Sequence, residues 1–400
     1  MNKKKISIIL IFFIAILSTF VFVKNNSNVE ITNEVNNKSK KNNDLLTMNL
    51  EQTAGAGDYK TVTQSEWPTE GYKFNTELSR CENGSELSWD DVNKKILMSG
   101  VSADKCYVYF DIARFDKLCN TSTLACHVAK LYTGTQGENG IYYHNTSLTN
   151  GAGDNNYRYA GANPNNYICL GSDATTCPDD NLFRIIGVFG DKVKVIKDKS
   201  VVKMHWDTSN YNTWSISSLN TYLNGTYLTS MGTLSDKIDV ATWKVGGNTW
   251  DNISVSTAKE VYDYEIKNPS TTASTGETEY SAKIGLMYVS DYMFAVLQDN
   301  WTLVAYNSND ATKDYRAIKA ENWLYLGSDE YTITRSSKNS GEVFAIYSSG
   351  EVYSYSVSCD SVEPLPCSVY AKYARPSFYL ISSVEYSGGT GTSSDPIRIN

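Results

Sequence analysis

Histidine is nearly absent from the 400 residues: there are three, His127, His144 and His205, and none stands in an H-x-x-x-H or H-E-x-x-H frame. The usual helical frames for a catalytic zinc are therefore missing. No G-x-S-x-G elbow occurs, which removes the commonest setting for a serine nucleophile. No pair of cysteines has the C-x2-4-C spacing of a zinc knuckle. Positive charge is also in deficit, with 36 Lys and Arg against 44 Asp and Glu and a net charge of −8. A chain of that balance has no basic patch for nucleic acid and little attraction to anionic lipid. The acidic residues are dispersed, and no D-x-[DN]-x-[DN]-G loop with a closing glutamate is present, so Asp154 and Asn155 read as part of a solvated loop rather than a calcium site. His205-Trp206-Asp207 places a histidine two residues from a carboxylate, a separation too long for a close hydrogen bond in an extended segment. No catalytic centre, metal site or cofactor is expected.

What the chain does have begins at its N-terminus. Three lysines, Lys3 to Lys5, precede eighteen uncharged residues from Ile6 to Val23, ISIILIFFIAILSTFVFV. Eighteen largely apolar residues are about the least that spans a bilayer core, and no small-x-small pair marks a cleavage site. The expectation is a signal anchor over residues 1–24, with the lysines cytoplasmic and the rest outside; secretion after cleavage is the alternative. Residues 25–50, polar and Asn-rich, read as a disordered tether.

Eight cysteines, an even number, suit an oxidising compartment. The simplest pairing is sequential: Cys81 with Cys106, Cys119 with Cys126, Cys169 with Cys177, and Cys359 with Cys367. Twenty-nine tyrosines and eight tryptophans can pack on one side and hydrogen-bond on the other, in a β-rich core or on a sugar-facing surface.

Short alternating runs such as Tyr72-Lys73-Phe74 and Cys106 to Phe110 predict a small β-domain over residues 51–112, stapled by Cys81 and Cys106. Residues 113–166, ending in the turn-rich GAGDNNYRYAGANPNN, read as a linker. The second domain is expected over residues 167–400. Phe183 to Phe189, a Gly190-Asp191 turn and Lys192 to Ile196 form a hairpin signal. Ile216, Leu219, Tyr222, Leu223 and Tyr227 follow helical spacing, with Thr213 or Ser215 as N-cap. Strands are expected at Lys283 to Val289, Glu342 to Tyr347, Val352 to Val357 and Ser377 to Ile381. The class is α+β, weighted toward β.

The order of landmarks in the second domain carries a resemblance: F-R-I-I-G-V at Phe183, W-D-T-S to T-Y-L-N between Trp206 and Asn224, K-I-G-L-M-Y-V-S-D-Y at Lys283, N-W-L-Y-L-G-S at Asn322, F-A-I-Y-S-S-G-E-V at Phe344, and A-R-P-S-F-Y-L at Ala374. Over about residues 167–385 this resembles a family of bacterial extracytoplasmic domains of uncharacterised function, itself distantly similar to the C-type lectin-like fold shared with formylglycine-generating enzymes. Gly388 to Ile399 resembles a closing segment common on such proteins. Phe183 stands where the family has tryptophan, and Gly327-Ser328 where it often has Arg-Ser.

The resemblance implies a lectin-like domain and recognition of a glycan or a surface protein; a scaffolding role is the alternative, an extracellular enzyme a more distant one. The E-P-N or Q-P-D tripeptide of calcium-dependent sugar binding is missing, and Glu321-Asn322-Trp323 reads as a buried tryptophan, Trp323, beside a turn. Formylglycine chemistry needs reactive cysteines, which full pairing removes. Arg184 and Arg375 match recurring family positions within apolar strands. A buried arginine needs a partner, and Asp291 is the candidate carboxylate for one of them.

Overall fold

The structure, a computed structural model, describes residues 29–31, 46–52, 56–63, 71–90, 93–119, 122–269, 276–357 and 371–399. The apolar segment Ile6 to Val23 and the cysteines Cys359 and Cys367 lie outside the described residues, as does most of the expected tether. Among the described residues no helix is long and apolar enough to cross a membrane. The chain divides into two compact units, Met1–Ile112 and Ala113–Asn400.

The first unit contains strands β1 (Val29–Ile31), β2 (Leu46–Glu51), β3 (Tyr59–Val62), β4 (Tyr72–Phe74), β5 (Arg80–Cys81), β6 (Glu86–Asp90), β7 (Lys95–Ser99) and β8 (Cys106–Ile112). One sheet has the order β3-β2-β8-β4, with β5 also on β8; a second has the order β1-β7-β6. Met48, Leu50, Phe74, Ile96, Val108 and Phe110 form the core between them. Cys81 and Cys106 are directly opposed on β5 and β8 and joined by a disulfide. The tether therefore ends earlier than its polar composition suggests. Leu46, Met48 and Leu50 alternate with polar residues, and that short run is enough to place β2 beside β8.

The second unit opens with helices α1 (Phe115–Leu118) and α2 (Leu124–Lys130) and strands β9 (Ile141–Tyr143), β10 (Tyr157–Tyr159) and β11 (Tyr167–Cys169). Residues 113–166 are thus part of this unit, not a linker. Its strands are three residues long and set among turn residues, too short to show alternation, and their burial is supplied by Tyr143, Tyr157 and Tyr159. The expected hairpin follows as β12 (Leu182–Phe189) and β13 (Lys192–Lys197), then β14 (Val202–Met204). Ser217, rather than Thr213 or Ser215, caps α3 (Ser218–Tyr222) through the Asn220 amide, and a π turn at Leu223–Tyr227 continues it. Ile216 is left outside, 62 % exposed.

Beyond these lie β15 (Ala241–Lys244), α4 (Trp250–Ser254), α5 (Ala258–Tyr262), β16 (Glu279–Ala282), β17 (Ile284–Gly285) and α6 (Val289–Phe294). The strand expected over Lys283 to Val289 is cut to β17, because Val289 and Ser290 donate their amides to the buried Glu265 carboxylate and turn into α6. The chain ends with β18 (Glu330–Arg335), β19 (Glu342–Ile346), β20 (Val352–Ser356), β21 (Lys372–Ala374), β22 (Ser377–Tyr379), β23 (Tyr386–Gly388) and β24 (Arg398–Ile399). A seven-stranded sheet runs β17-β22-β13-β12-β10-β9, with β11 added on β12, and a five-stranded sheet runs β14-β21-β18-β19-β20.

The larger sheet is covered on both faces, which explains the nearly unbroken apolar runs of its hairpin. Ile185, Val188, Val193 and Val195 pack with α2 on one face, and Ile186 and Ile196 with α5 and α6 on the other. Gly187 lies at a bulge where β10 passes so close that a Cβ would fall 1.9 Å from the Tyr157 carbonyl oxygen. Only glycine fits there.

Candidate functional site

Strand alternation places two cations in the covered layer of the larger sheet. In β10, Tyr157 and Tyr159 join the core beneath α2, so Arg158 points the other way; in β13, Val193 and Val195 do the same and Lys194 is turned toward α6. Cross-strand pairing then aligns Arg158, Gly187, Lys194 and Tyr379 in one row over β10, β12, β13 and β22. Gly187 carries no side chain between the two cations, and a chamber of about 140 Å3 opens beside them, walled by Phe189, Tyr262, Tyr288 and Tyr379.

Each cation has its own carboxylate. Arg158 makes a bidentate pair with Asp154, 2.9 and 2.5 Å, and Tyr262 donates its hydroxyl to the same carboxylate at 2.9 Å. Burial would push the Asp154 carboxyl up, but the guanidinium outweighs it and holds the group well below the usual carboxylate range. The expected solvated loop is therefore anchored at Asp154. His144 orders the same loop: its Nδ1 accepts the Ala152 amide and its carbonyl accepts those of Asp154 and Asn155. Full burial, with Arg158 nearby, keeps this imidazole neutral.

Lys194 meets Asp291 at 2.5 Å, with both side chains almost fully buried. Its ammonium lies 4.6 Å from the Tyr288 ring centroid and 5.5 to 5.7 Å from those of Trp243, Tyr379 and Phe189. Burial draws the lysine pKa down, with Asp291 opposing. Asp291 also accepts the Tyr288 amide at 2.8 Å, closing the N-terminus of α6. Glu265, in a π turn over Asp263–Lys267, is fully desolvated and its pKa is pushed up to about 7, although Thr334 and Ser290 hydrogen-bond to it.

The residues singled out in the sequence are dispersed. Arg375 pairs with Glu330 at 2.5 Å and donates to the Leu324 carbonyl. Asp291 is the partner of neither arginine; it belongs to Lys194. Arg184 has no carboxylate at ion-pair distance among the described residues. Its guanidinium is held between the rings of Tyr167 and Trp323, at 4.0 and 4.7 Å, and donates to Asn166 and to the Pro164 carbonyl. Desolvation lowers its pKa to about 10. Trp323 is buried as expected and donates to the Tyr159 carbonyl. The disulfides Cys119–Cys126 and Cys169–Cys177 form as expected. Asp207 serves as a local acceptor for the amides of Ser209 and Ser218. Sequence reading missed Lys194, Arg158 and Glu265; the signal available was a lone cation inside V-K-V and Y-R-Y.

A second cavity, a more open cleft of about 360 Å3, is lined by Leu131, Asn139–Gly140, Ala160–Asn165 and Thr390. None of these side chains is ionisable. Asn163 and Asn165 are exposed, and neither side-chain amide makes a hydrogen bond to another described residue. Among the described residues one cluster has metal-ligating side chains close together, Cys81, Asp104 and Cys106, and its two sulfurs are bonded to each other. No protein-family model matches the chain, and no curated protein or solved structure matches it.

Proposed function

We propose that the chain is a membrane-anchored extracytoplasmic recognition protein whose second unit binds a neutral, hydroxyl-rich ligand of the glycan class. The observation that carries this reading is the lining of the larger cleft: three asparagines, a threonine and backbone polar groups, with no ionisable side chain, in a cavity of about 360 Å3. That volume falls in the range of small-molecule sites. Amide groups donate and accept at once, which matches hydroxyls and offers nothing specific to a charged ligand. A cleft without an acid or base has no group for proton transfer, so binding rather than catalysis is the role it supports.

The order of motifs resembles a family of bacterial extracytoplasmic domains, itself distantly similar to the C-type lectin-like fold, and accords with a recognition role toward a glycan or a surface protein. Three disulfides among the described residues accord with a compartment outside the cytoplasm, and the apolar run Ile6 to Val23 accords with an anchor. The test is a glycan-array and polysaccharide pull-down screen of the full chain in detergent, with calcium and with chelator. Selective retention that survives the chelator and is lost in Asn163→Ala/Asn165→Ala supports the reading. Absence of retention in both conditions sinks it and shifts the role to protein adhesion or scaffolding.

A further inference from the structure

We propose that Lys194 and Asp291 condense to an intramolecular isopeptide bond, a covalent brace between β13 and α6 that is independent of the ligand reading. Four features of the geometry point to it. The lysine nitrogen is 2.5 Å from a carboxylate oxygen, one bond away from the carboxyl carbon it would attack. Both side chains are shielded, at 1 % and 5 % exposure. Asp291 accepts the one hydrogen bond that Nζ of Lys194 makes to the described residues, and the ring centroids of Trp243, Tyr288 and Tyr379 lie 4.6 to 5.6 Å from the same nitrogen. The two residues are 97 positions apart, so the fold alone brings them together.

Burial strips hydration from the pair and favours the neutral amine of Lys194; the reaction begins with transfer of one ammonium proton to the carboxylate, giving amine and carboxylic acid. The lysine pKa, drawn down by burial, moves in the direction this transfer requires. The neutral Nζ lone pair then attacks Cγ of Asp291. A C–N bond forms, a C–O bond breaks, and the departing oxygen leaves with two protons as water. One of those protons came from the nitrogen and the other from the carboxylic acid. No electron is transferred and no co-reactant is needed. The product amide is neutral, so the desolvation cost of a buried ion pair disappears with the reaction. The carbonyl oxygen that stays can keep the Tyr288 amide hydrogen bond, and with it the cap of α6. The adjoining chamber of about 140 Å3 receives the released water. Glu265, bonded to the Val289 and Ser290 amides at 3.0 Å each, keeps the first turn of α6, and therefore Asp291, seated against Lys194.

Intramolecular reactions of well-placed groups reach effective molarities of about 10⁵ to 10⁸ M, enough for a step that needs one turnover per molecule. The experiment is peptide mapping by tandem mass spectrometry on the full-length chain, reduced, alkylated and denatured before digestion. The expected result is a branched species joining the peptides of Lys194 and Asp291, lighter than their sum by one water, with trypsin unable to cleave after Lys194. Asp291→Ala abolishes this species. Asp291→Asn, which keeps the shape of the site and can release ammonia instead, yields the same branched product. Recovery of the wild-type Lys194 and Asp291 peptides separately and in full yield overturns the proposal.

Discussion

Among the described residues, the first unit draws its core from six buried side chains in two small sheets and closes it with one disulfide, whereas the second buries three charge pairs, Arg158 with Asp154, Lys194 with Asp291 and Arg375 with Glu330. The difference follows from size. Removing an ion from water costs several kcal/mol even after relaxation, which a six-residue core has little apolar burial to offset. A unit with three apolar clusters can carry that cost, and in return its buried charges fix which strand faces which helix. A small core instead gains stability from a crosslink that restricts its unfolded chain.

The largest effect should come from breaking a charge pair in the second unit. Lys194→Met takes away the partner of the buried Asp291, in the ion pair and in the proposed amide alike, and is expected to cost about 3 to 5 kcal/mol, read by hydrogen exchange over β13 and α6 with the first unit as internal control. Adding Asp291→Asn should restore most of the loss, since a neutral amide still accepts the Tyr288 N–H. A single variant costing under about 1 kcal/mol would mean that the pair does not organise the unit. The reciprocal experiment removes the staple of the first unit. Cys81→Ala/Cys106→Ala opens a loop with a sequence separation of 25, for which chain entropy gives about 3.5 kcal/mol, with exchange rising in β2, β4 and β8 while the second unit stays unchanged.

A smaller effect separates the units by pH. Glu265 binds its proton more tightly folded, near pH 7, than unfolded, near 4.5. Its contribution to stability is therefore complete below about pH 4.5 and is lost as pH rises through 7, a change on the order of 3 kcal/mol at most. Glu265→Gln should flatten this slope in the second unit. An unaltered slope would assign the pH dependence to another group; His144 works in the opposite sense, since its lowered pKa removes stability as pH falls below about 6.5.

These contrasts explain how much could be read in advance. The β12–β13 hairpin was legible because two apolar runs flank a Gly-Asp turn, and three disulfides because local pairing was the simplest choice. Residues 113–166 were not legible, since β9 and β10 take their burial from tyrosines in strands too short to show a period. The turn from β17 into α6 was hidden because it depends on Glu265, a tertiary contact across 24 residues. A carboxylate partner was rightly expected for Arg375, but Asp291, the candidate for one of the two arginines, pairs with neither. In α6 it faces β13, and Glu330 fills the place beside Arg375. Lys194 stood within the hairpin signal and Arg158 within the expected linker, and neither was singled out; only the second layer makes them interior.

The smallest effect on stability belongs to the cleft, and it is the sharpest contrast with the buried pairs. Asn163 is exposed and its side-chain amide makes no hydrogen bond to another described residue, so Asn163→Ala removes no internal contact and should leave stability within about 0.5 kcal/mol of wild type. In a complex the same amide would be desolvated against ligand hydroxyls. Losing a hydrogen bond of about 1 to 1.5 kcal/mol corresponds to roughly a tenfold weaker Kd, measurable by calorimetry with whichever glycan the screen retains. An unchanged Kd beside an unchanged melting curve would move the ligand away from this cleft. A weakened Kd with an unchanged melting curve would show that the second unit keeps its recognition surface free of stabilising duties, while the charges that hold the fold stay inside.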